Sequence, residues 1–545
     1  MERVEVNPFP RLSLRSLIPS IEDVLFISIA VKILGFGKAL LFDADTAWHI
    51  RAGDVILEQW HVPRTDVFSY TARDQPWVNH EWLSQVILSI VHHLSGLTGV
   101  VVLTALLLCF TFFYFYRFLL EMEVSLLLAV MLTLLAVTIT SVHWLARPHI
   151  FSLLLTLLWY RQLERHQRLG ARSALYPLPL IMLFWVNLHG AYVTGFILLG
   201  IYCVGNGLEW MFCKDQTEKD RLFSRLTPLS IVAGACVLAA LVNPYGYRLL
   251  IFPFQFMSST FIRDYIIEWA SPDFHETSFY ELPFMLLIVV LGFSLRKLRF
   301  IELGLLLVWL HGALYAVRYI PILAIIALPI IGTYLEDYFR TGLASDVVPD
   351  WIRRILRKLR GLSDRVQAQS NSFNGHFVTA IFIFLLFGLT LFHDRTGRAP
   401  FLDYQFDETR FPIKAVEFVK THGITGRMYN AYYFGGYLIY SFYPNPDYRV
   451  FIDGRAEVYG DKILKTFLHI DGLFPDWASI LQDYEVAWII HQARSQLSTI
   501  LLEDPGWKLI YADSVANIFV RDIPRYRELI DRFPHVRPVE DEERS

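Results

Sequence analysis

The sequence predicts a polytopic α-helical membrane protein with about 11 transmembrane helices and a C-terminal extracytoplasmic α/β domain. Three observations predict this class. Of the 545 residues, 54% are hydrophobic and the mean hydropathy is +0.39, which is too apolar for an ordinary soluble protein of this length. Long apolar runs alternate with short basic segments, and the C-terminal part replaces them with shorter helix-like and strand-like patterns.

Composition excludes several functions. The formal net charge is −3, and nothing in the arrangement of charges supports a nucleic-acid partner. No CxxC pair is present, and the cysteines lie in or beside apolar runs, so neither a disulfide framework nor a thiolate metal site is expected. These cysteines are Cys109, Cys203, Cys213 and Cys236.

Each predicted span is an apolar run, because a hydrocarbon core about 30 Å thick needs about 20 apolar residues in a helix. Eleven runs qualify, near 22–42, 99–120, 124–145, 148–162, 174–188, 190–211, 227–243, 281–295, 301–317, 319–336 and 375–393. With eleven spans, every cluster of Lys and Arg falls on one side, which the positive-inside rule makes cytoplasmic. We therefore expect a multi-pass protein of the cytoplasmic (inner) membrane, with its N-terminus in the cytoplasm.

The same topology divides the chain into segments. They are a cytoplasmic N-terminus at 1–21, a transmembrane core at 22–337 with an external loop at 43–98, a cytoplasmic basic linker at 338–374, a last transmembrane helix at 375–393, an extracytoplasmic α/β domain at 394–522 and a charged tail at 523–545. The linker contains WIRRILRKLRG, an amphipathic segment that suits either the anionic inner leaflet or a solvated basic surface.

The less ordinary polar segments all fall on the outer side in this topology. They are FDADTAWHIRAGD, PWVNHEW, HWLARPH, WVNLHG, NPYG, IIEWASPDF, VRYIP and FIDGRAEVYG. Charged groups at or near membrane depth are expensive to hold and usually line a cavity or a site. The sequence therefore predicts one outward-facing polar pocket.

Each polar segment also has a structural interpretation. Asp43 and Asp45 are suited to cap a helix at the membrane boundary. Arg147 and Arg318 are suited to contact lipid headgroups. The Asp-Gly pair at Asp453 is also a common turn. The residues alone leave these alternatives open.

The first external loop resembles that of GT-C membrane glycosyltransferases. In DTAWHIR an acid at the end of the first span, Asp45, precedes Arg51 by six residues, as in the DAYYHLR pattern of oligosaccharyltransferase catalytic subunits. The stretch 430–460 is similar in layout to their WWDYG region, because an aromatic-Gly turn opens a helix and a later strand ends in Asp-Gly. Here Tyr-Tyr-Phe-Gly at 432–435 replaces Trp-Trp-Asp-Tyr, the element that reads the acceptor sequon, so the acceptor is left unassigned.

The resemblance implies a transferase that moves a sugar from a polyprenyl phosphate or diphosphate to a protein, lipid or polysaccharide acceptor. Such chemistry uses a carboxylate to activate the acceptor, sometimes with Mg²⁺ or Mn²⁺, and cations to stabilise the departing phosphate. It implies Asp45 as catalytic base or metal ligand, with Asp43 as the second choice. The other candidates are Arg51, Arg147 and Arg318 for the donor phosphate, His80, Glu81 and Glu268 for orienting the acceptor or completing a metal site, and Asp453 and Arg455 for contacting the acceptor.

Two other classes of protein remain as alternatives. A polytopic transporter also has many spans, but its usual signs are internal repeats and polar pairs near the bilayer midplane. The sequence shows no convincing repeat between its halves. A non-catalytic membrane scaffold that kept the fold and lost the chemistry is the other alternative, and the spacing of Asp45 and Arg51 argues against it.

Overall fold

The computed structural model describes residues 17–259, 266–275, 281–293, 296–342, 349–373, 375–395, 402 and 404–539. The predicted cytoplasmic N-terminus and the end of the charged tail therefore lie mostly outside the described residues. A helical bundle forms the part of the chain up to Arg395, and a small mixed sheet flanked by helices forms the part after Tyr404.

The described helices of the bundle run in the following order. They are α1 Ile21–Gly35, α2 Asp45–Gln59, α3 Trp82–Glu121, α4 Leu126–Thr140, α5 His149–Leu169, α6 Leu178–Leu188, α7 Val193–Phe212, α8 Gln216–Ala240, α9 Tyr247–Ser258, α10 Glu281–Phe293, α11 Phe300–Tyr315, α12 Ile320–Gly342, α13 Asp350–Ser370 and α14 His376–Arg395. Buried aliphatic and aromatic side chains of these helices form a core that continues into the C-terminal domain.

Five helical segments among the described residues are long and apolar enough to cross a membrane. They are Trp82–Glu121, Leu126–His143, Gly190–Phe212, Gln216–Ala240 and Val317–Thr341. Shorter apolar helices lie at Glu281–Gly292, Phe300–Tyr315 and His376–Leu391. These helices confirm a mostly helical membrane protein, whereas the count of eleven spans stays a prediction.

Helix α3 differs from the span predicted at 99–120. It begins at Trp82, within the predicted external loop, and continues to Glu121 across a kink at Ser95 and Gly96. Gly96 has a φ of 58°, a conformation that favours glycine. The half before the kink packs closely on α2, since a Cβ on Gly53 of α2 would lie 2.1 Å from the carbonyl oxygen of Gln85.

The C-terminal domain contains a four-stranded mixed sheet. Its strands are β1 Met428–Asn430, β2 Trp488–Gln492, β3 Trp507–Ala512 and β4 Ala516–Arg521, in the order β1-β2-β4-β3. The pair β1 and β2 is parallel, and the pairs of β4 with β2 and β3 are antiparallel. Its helices are α15 Ile413–His422, α16 Gly435–Phe442, α17 Ala456–Asp471, α18 Trp477–Asp483, α19 Gln496–Glu503 and α20 Arg527–Arg532.

The domain is joined to the loop that follows α2 by backbone pairing and a buried ion pair. Val450 exchanges backbone hydrogen bonds with Phe68 and Tyr70, both of 3.2 Å. Arg455 is fully buried and contacts Asp66 of the loop at 2.7 Å and Asp453 of its own domain at 2.7 Å. Because buried charges are stable only with close partners, this ion pair fixes the domain on the loop.

Candidate active site

A cavity of about 1300 Å³ lies where helix ends of the bundle meet the C-terminal domain. Most of the polar segments that the sequence singles out contribute to its wall. The predicted site residues that line it are Asp43, Asp45, His80, Glu81, Arg147, Glu268 and Arg318. Residues far apart in the chain thus share one pocket, as the sequence predicts.

Asp45 begins helix α2, and its two carboxylate oxygens have different partners: Oδ1 accepts a hydrogen bond and Oδ2 forms an ion pair. Trp48, one helical turn later, donates its indole N–H to Oδ1 at 2.9 Å, and Arg147 contacts Oδ2 at 2.8 Å. The backbone N–H of Asp45 donates to Asp43 Oδ1 at 2.6 Å. Asp43 therefore accepts the backbone N–H of the first residue of α2 as well as facing the pocket, and Asp45 is held in one orientation.

Arg147 binds three carboxylates. Its Nη1 lies 2.8 Å from Asp43 Oδ2 and 2.6 Å from Glu268 Oε1, and its Nη2 contacts Asp45. The segment that carries it is fixed by the backbone N–H of Ala146, which donates to Leu40 O at 2.8 Å. The guanidinium therefore links the start of α2 to the segment 266–275.

This charge balance shifts the pKa values of Asp45 and Glu268 in opposite directions. Burial raises the pKa of Asp45 to about 8; Arg147 opposes the shift, and the neighbouring Asp43 adds to it. Burial also acts against ionisation of Glu268, but Arg147 outweighs it and holds the pKa of Glu268 below its usual range. Asp45 is thus the carboxyl group poised to exchange a proton near neutral pH.

Arg318 lies beside this cluster with its guanidinium carbon 4.6 Å from the centroid of the Trp269 ring. Its Nη1 is 4.0 Å from Glu268 Oε2, which is too long for a hydrogen bond. Among the described residues the guanidinium makes no hydrogen bond to protein. Arg318 therefore keeps donors for an anionic ligand in the pocket.

A second polar centre surrounds Glu81. The Nε2 atoms of His49, His80 and His189 lie 3.7, 3.7 and 3.4 Å from its carboxylate oxygens. Burial lowers the pKa of His49 well below its usual value, so this imidazole is neutral at pH 7. The centre therefore combines one carboxylate with imidazole groups that face the same cavity.

Hydrogen bonds behind the pocket fix the tautomers of two of these histidines. The backbone N–H of Ala191 donates to Nδ1 of His189 at 3.3 Å, and Ser152 Oγ lies 2.8 Å from the same atom. The side-chain amide of Gln85 donates to Nδ1 of His49 at 3.4 Å. Because Nδ1 accepts in both neutral rings, their Nε2 atoms carry the proton and direct it towards Glu81.

The C-terminal domain closes one side of the pocket. Gly454 packs against the catalytic candidate so closely that a Cβ there would lie 2.0 Å from Asp45 Oδ1. Gly436 packs equally closely on the carbonyl oxygen of Ala44, at 2.2 Å from its ideal Cβ. The two C-terminal segments that resemble oligosaccharyltransferases therefore contact the first external loop directly.

The structure places three predicted site residues outside the pocket lining. Arg51 contacts Asp54 at 2.6 Å and lies 4.4 Å from the centroid of the Tyr440 ring, which fixes α2 to α16. Asp453 and Arg455 form the buried docking pair described above. A role for Arg51 at the donor phosphate, and for the pair at the acceptor, stays a prediction.

Several polar and aromatic residues of the pocket wall are not among the candidates that the sequence predicts. His49, His189 and Trp269 lie within segments that the sequence had singled out, but the residue types alone did not distinguish a ligand-facing side chain from a packed one. Glu457, whose pKa burial raises, lies in the segment FIDGRAEVYG, in which the sequence predicts only Asp453 and Arg455 as candidates. Only the docking of the C-terminal domain brings Glu457 to the cavity.

The described residues give a clear answer on metal ligands. No group of three or more His, Cys, Asp or Glu side chains among them is arranged to hold a metal ion. Three carboxylates that lie close together in the pocket, Asp43, Asp45 and Glu268, all bind Arg147. The donor set around Arg147 therefore fits a guanidinium and does not fit a divalent cation.

Comparisons with known proteins support the fold. No family model and no curated protein matches the chain. The apo oligosaccharyltransferase of Archaeoglobus fulgidus is similar at 12% identity and a TM-score of 0.50, over 92% of this chain and 75% of that chain. ArnT of Cupriavidus metallidurans, bound to undecaprenyl phosphate, is similar at 13% identity and a TM-score of 0.49, over 91% of this chain and 97% of that chain. An A. fulgidus oligosaccharyltransferase complex with Zn and sulfate is similar at 13% identity and a TM-score of 0.45, over 92% of this chain and 74% of that chain. The fold of this chain is therefore similar to that of an archaeal oligosaccharyltransferase, as the first external loop and the C-terminal domain predict.

Proposed function

We propose that this chain is a membrane glycosyltransferase that moves a sugar from a polyprenyl-phosphate-type donor to an acceptor in the pocket. The observation that carries the proposal is the carboxyl group of Asp45, which is oriented on both oxygens, has a raised pKa and lies in a large pocket beside Arg318. The similarity of the fold to an oligosaccharyltransferase supports the same class of reaction.

The pocket suits a lipid-linked donor because it is both apolar and cationic. Its wall includes aromatic and aliphatic side chains of the helical bundle, among them Phe252, Trp309 and Ile322. Arg318 adds guanidinium donors that match phosphate oxygens and stay charged beside lipid. In this proposal the polyprenyl chain lies along the apolar wall, and its phosphate binds Arg318.

In the proposed reaction the carboxyl group of Asp45 and the guanidinium of Arg318 have separate roles. Asp45 in its ionised form accepts the proton of the acceptor nucleophile as that atom attacks the anomeric carbon of the sugar. The bond between the sugar and the lipid phosphate breaks, and Arg318 stabilises the charge that develops on the leaving phosphate. The acceptor class, whether protein, lipid or polysaccharide, is left open by the residues that line the pocket.

The proposal includes the predicted topology. The pocket and the C-terminal domain lie on the extracytoplasmic face of the cytoplasmic membrane, and the chain crosses the bilayer eleven times with its N-terminus inside. The apolar helices of the bundle and the basic residues between its apolar runs support this arrangement. In this arrangement α13, at Asp350–Ser370, lies on the cytoplasmic side.

A comparison of strains tests the function. A null strain, the wild type, Asp45→Asn and the control Asp74→Asn are brought to equal membrane levels, and polyprenyl-linked sugars and envelope glycans are measured by mass spectrometry. Asp74 is a matched control because it lies in the same loop and its side chain is 87% exposed.

We expect Asp45→Asn to behave as the null strain, with a lipid-linked sugar accumulating and one glycan missing, while Asp74→Asn behaves as the wild type. If the null strain changes these pools but Asp45→Asn does not, Asp45 is not the base. If the null strain changes neither pool, the transferase proposal is replaced by a transporter or a scaffold.

A further inference from the structure

Arg147 is the positive charge at the centre of three acidic side chains in the pocket. Three carboxylate oxygens, one each from Asp43, Asp45 and Glu268, lie 2.6 to 2.8 Å from its terminal nitrogens. All three acids face the pocket, and their side chains are 16 to 24% exposed. A cluster of three acids needs a positive charge at its centre, and here one side chain of the same protein supplies that charge.

A divalent cation would need the oxygens that Arg147 already binds. Mg²⁺ and Mn²⁺ prefer carboxylate oxygens, and Mg²⁺ binds them at about 2.0 to 2.1 Å. A guanidinium bound to the same oxygens blocks that approach and repels the ion, and it cannot leave by losing its proton. Arg147 and a divalent cation therefore compete for one site.

We propose that Arg147 is a resident cation that takes the place of a divalent metal at this site and positions Asp45 for its reaction. Trp48 holds Oδ1 and Arg147 holds Oδ2, so the carboxylate keeps one orientation without a metal. The competition with metal depends only on the geometry, whereas the effect on Asp45 chemistry rests on the function proposed above.

The test uses Mn²⁺ and the purified full-length chain in detergent. Binding is followed by electron paramagnetic resonance of free Mn²⁺, and the thermal midpoint is recorded with and without the ion. We expect no stoichiometric binding to the wild type at micromolar Mn²⁺. Arg147→Ala leaves three carboxylates without their cation, so it is expected to bind one Mn²⁺ at least about tenfold more tightly than the wild type.

Two control variants separate this result from a general loss of structure. Arg147→Lys keeps a positive charge and is expected to gain no Mn²⁺ site. The double variant Arg147→Ala with Asp43→Asn is expected to lose most of the binding that Arg147→Ala gains. In the single Ala variant, Mn²⁺ should also raise the thermal midpoint, an effect that a merely structural role for Arg147 would not produce.

Two measurements on the wild-type chain would contradict the replacement of a metal by Arg147. One Mn²⁺ bound per wild-type chain at micromolar concentration, or a wild-type glycan product that is lost when a chelator is added to membranes, contradicts it. Failure of the proposed function is distinguishable, because it shows in the glycan pools of the Asp45→Asn strain and leaves Mn²⁺ binding unchanged.

Discussion

Gly454→Ala is the substitution that most directly tests the contact between the C-terminal domain and Asp45. The added methyl carbon would lie 2.0 Å from Asp45 Oδ1 and 3.3 Å from Oδ2. Side-chain carbons essentially never approach other atoms within 3.0 Å, so the domain or the carboxylate has to move by at least about 1 Å. Trp48 and Arg147 hold that carboxylate, and the shift therefore disturbs the whole cluster.

A misplacement of about 1 Å in a reacting group costs on the order of 10²-fold in rate. We therefore expect Gly454→Ala to lower transfer to the order of 1% of the wild type at equal membrane levels. Mass spectrometry measures transfer as the ratio of two amounts in each strain: the glycan that the null strain lacks, and the lipid-linked sugar that the null strain accumulates.

Gly207→Ala is the matched control, because a Cβ at this helical glycine meets nothing within 4 Å. It should behave as the wild type. Wild-type transfer by Gly454→Ala would refute the close contact between the two segments, and with it the placement of the domain against Asp45.

Two further predictions concern protons and stability. Because burial raises the pKa of Asp45 to about 8, its base form is scarce at pH 6, so transfer should rise about tenfold per pH unit up to about pH 8 and then level off. The same shift means that the folded state holds this proton more tightly than the unfolded chain, so this contribution to stability is lost as pH rises towards 8. A rate in membrane vesicles that stays flat from pH 6 to 8 would contradict the role of Asp45 as base. Arg455→Met leaves Asp66 and Asp453 buried without their cation and should cost about 3 to 5 kcal/mol in the attachment of the domain. Faster proteolytic release of the C-terminal domain checks this, and unchanged protease resistance would argue against the docking pair.

Much of the architecture follows from the sequence because it depends on local patterns. The helical segments PIKAVEFVKTHG and SQLSTILLEDPG correspond to α15 and α19, and the strand-like runs VAWIIH and WKLIYAD correspond to β2 and β3. The run YRVFID forms only an isolated bridge to the external loop, between Val450 and Ser69. Strand β1 has only three residues, too few for an alternating pattern to be recognised.

In the candidate site, too, the sequence predicts contacts within one helix and does not predict contacts between distant segments. Asp45 and Trp48 are three positions apart, so they share one face of α2, and their hydrogen bond follows from helix geometry. Arg51 is six positions from Asp45, which turns it by about 240° around the helix axis and directs it to α16 instead of the pocket.

Tertiary contacts decide the rest of the site. Arg147 and Glu268 are 121 positions apart in the chain, and their contact depends on how the helix ends meet. The sequence therefore predicts both residues as polar groups of one pocket, but it does not show that Arg147 contacts three carboxylates whereas Arg318 lies over the Trp269 ring.

In the proposed reaction the pocket binds the phosphate of a polyprenyl donor beside Arg318. Photo-crosslinking tests this placement, with a short polyprenyl phosphate that carries a diazirine near the phosphate and with crosslinked peptides mapped by mass spectrometry. We expect adducts on the segment around Trp269 and Tyr319, both of which line the cavity with Arg318, and a loss of labelling of at least about tenfold in Arg318→Gln. Adducts spread over the outer surfaces of the bundle, or equal labelling of Arg318→Gln, would contradict it.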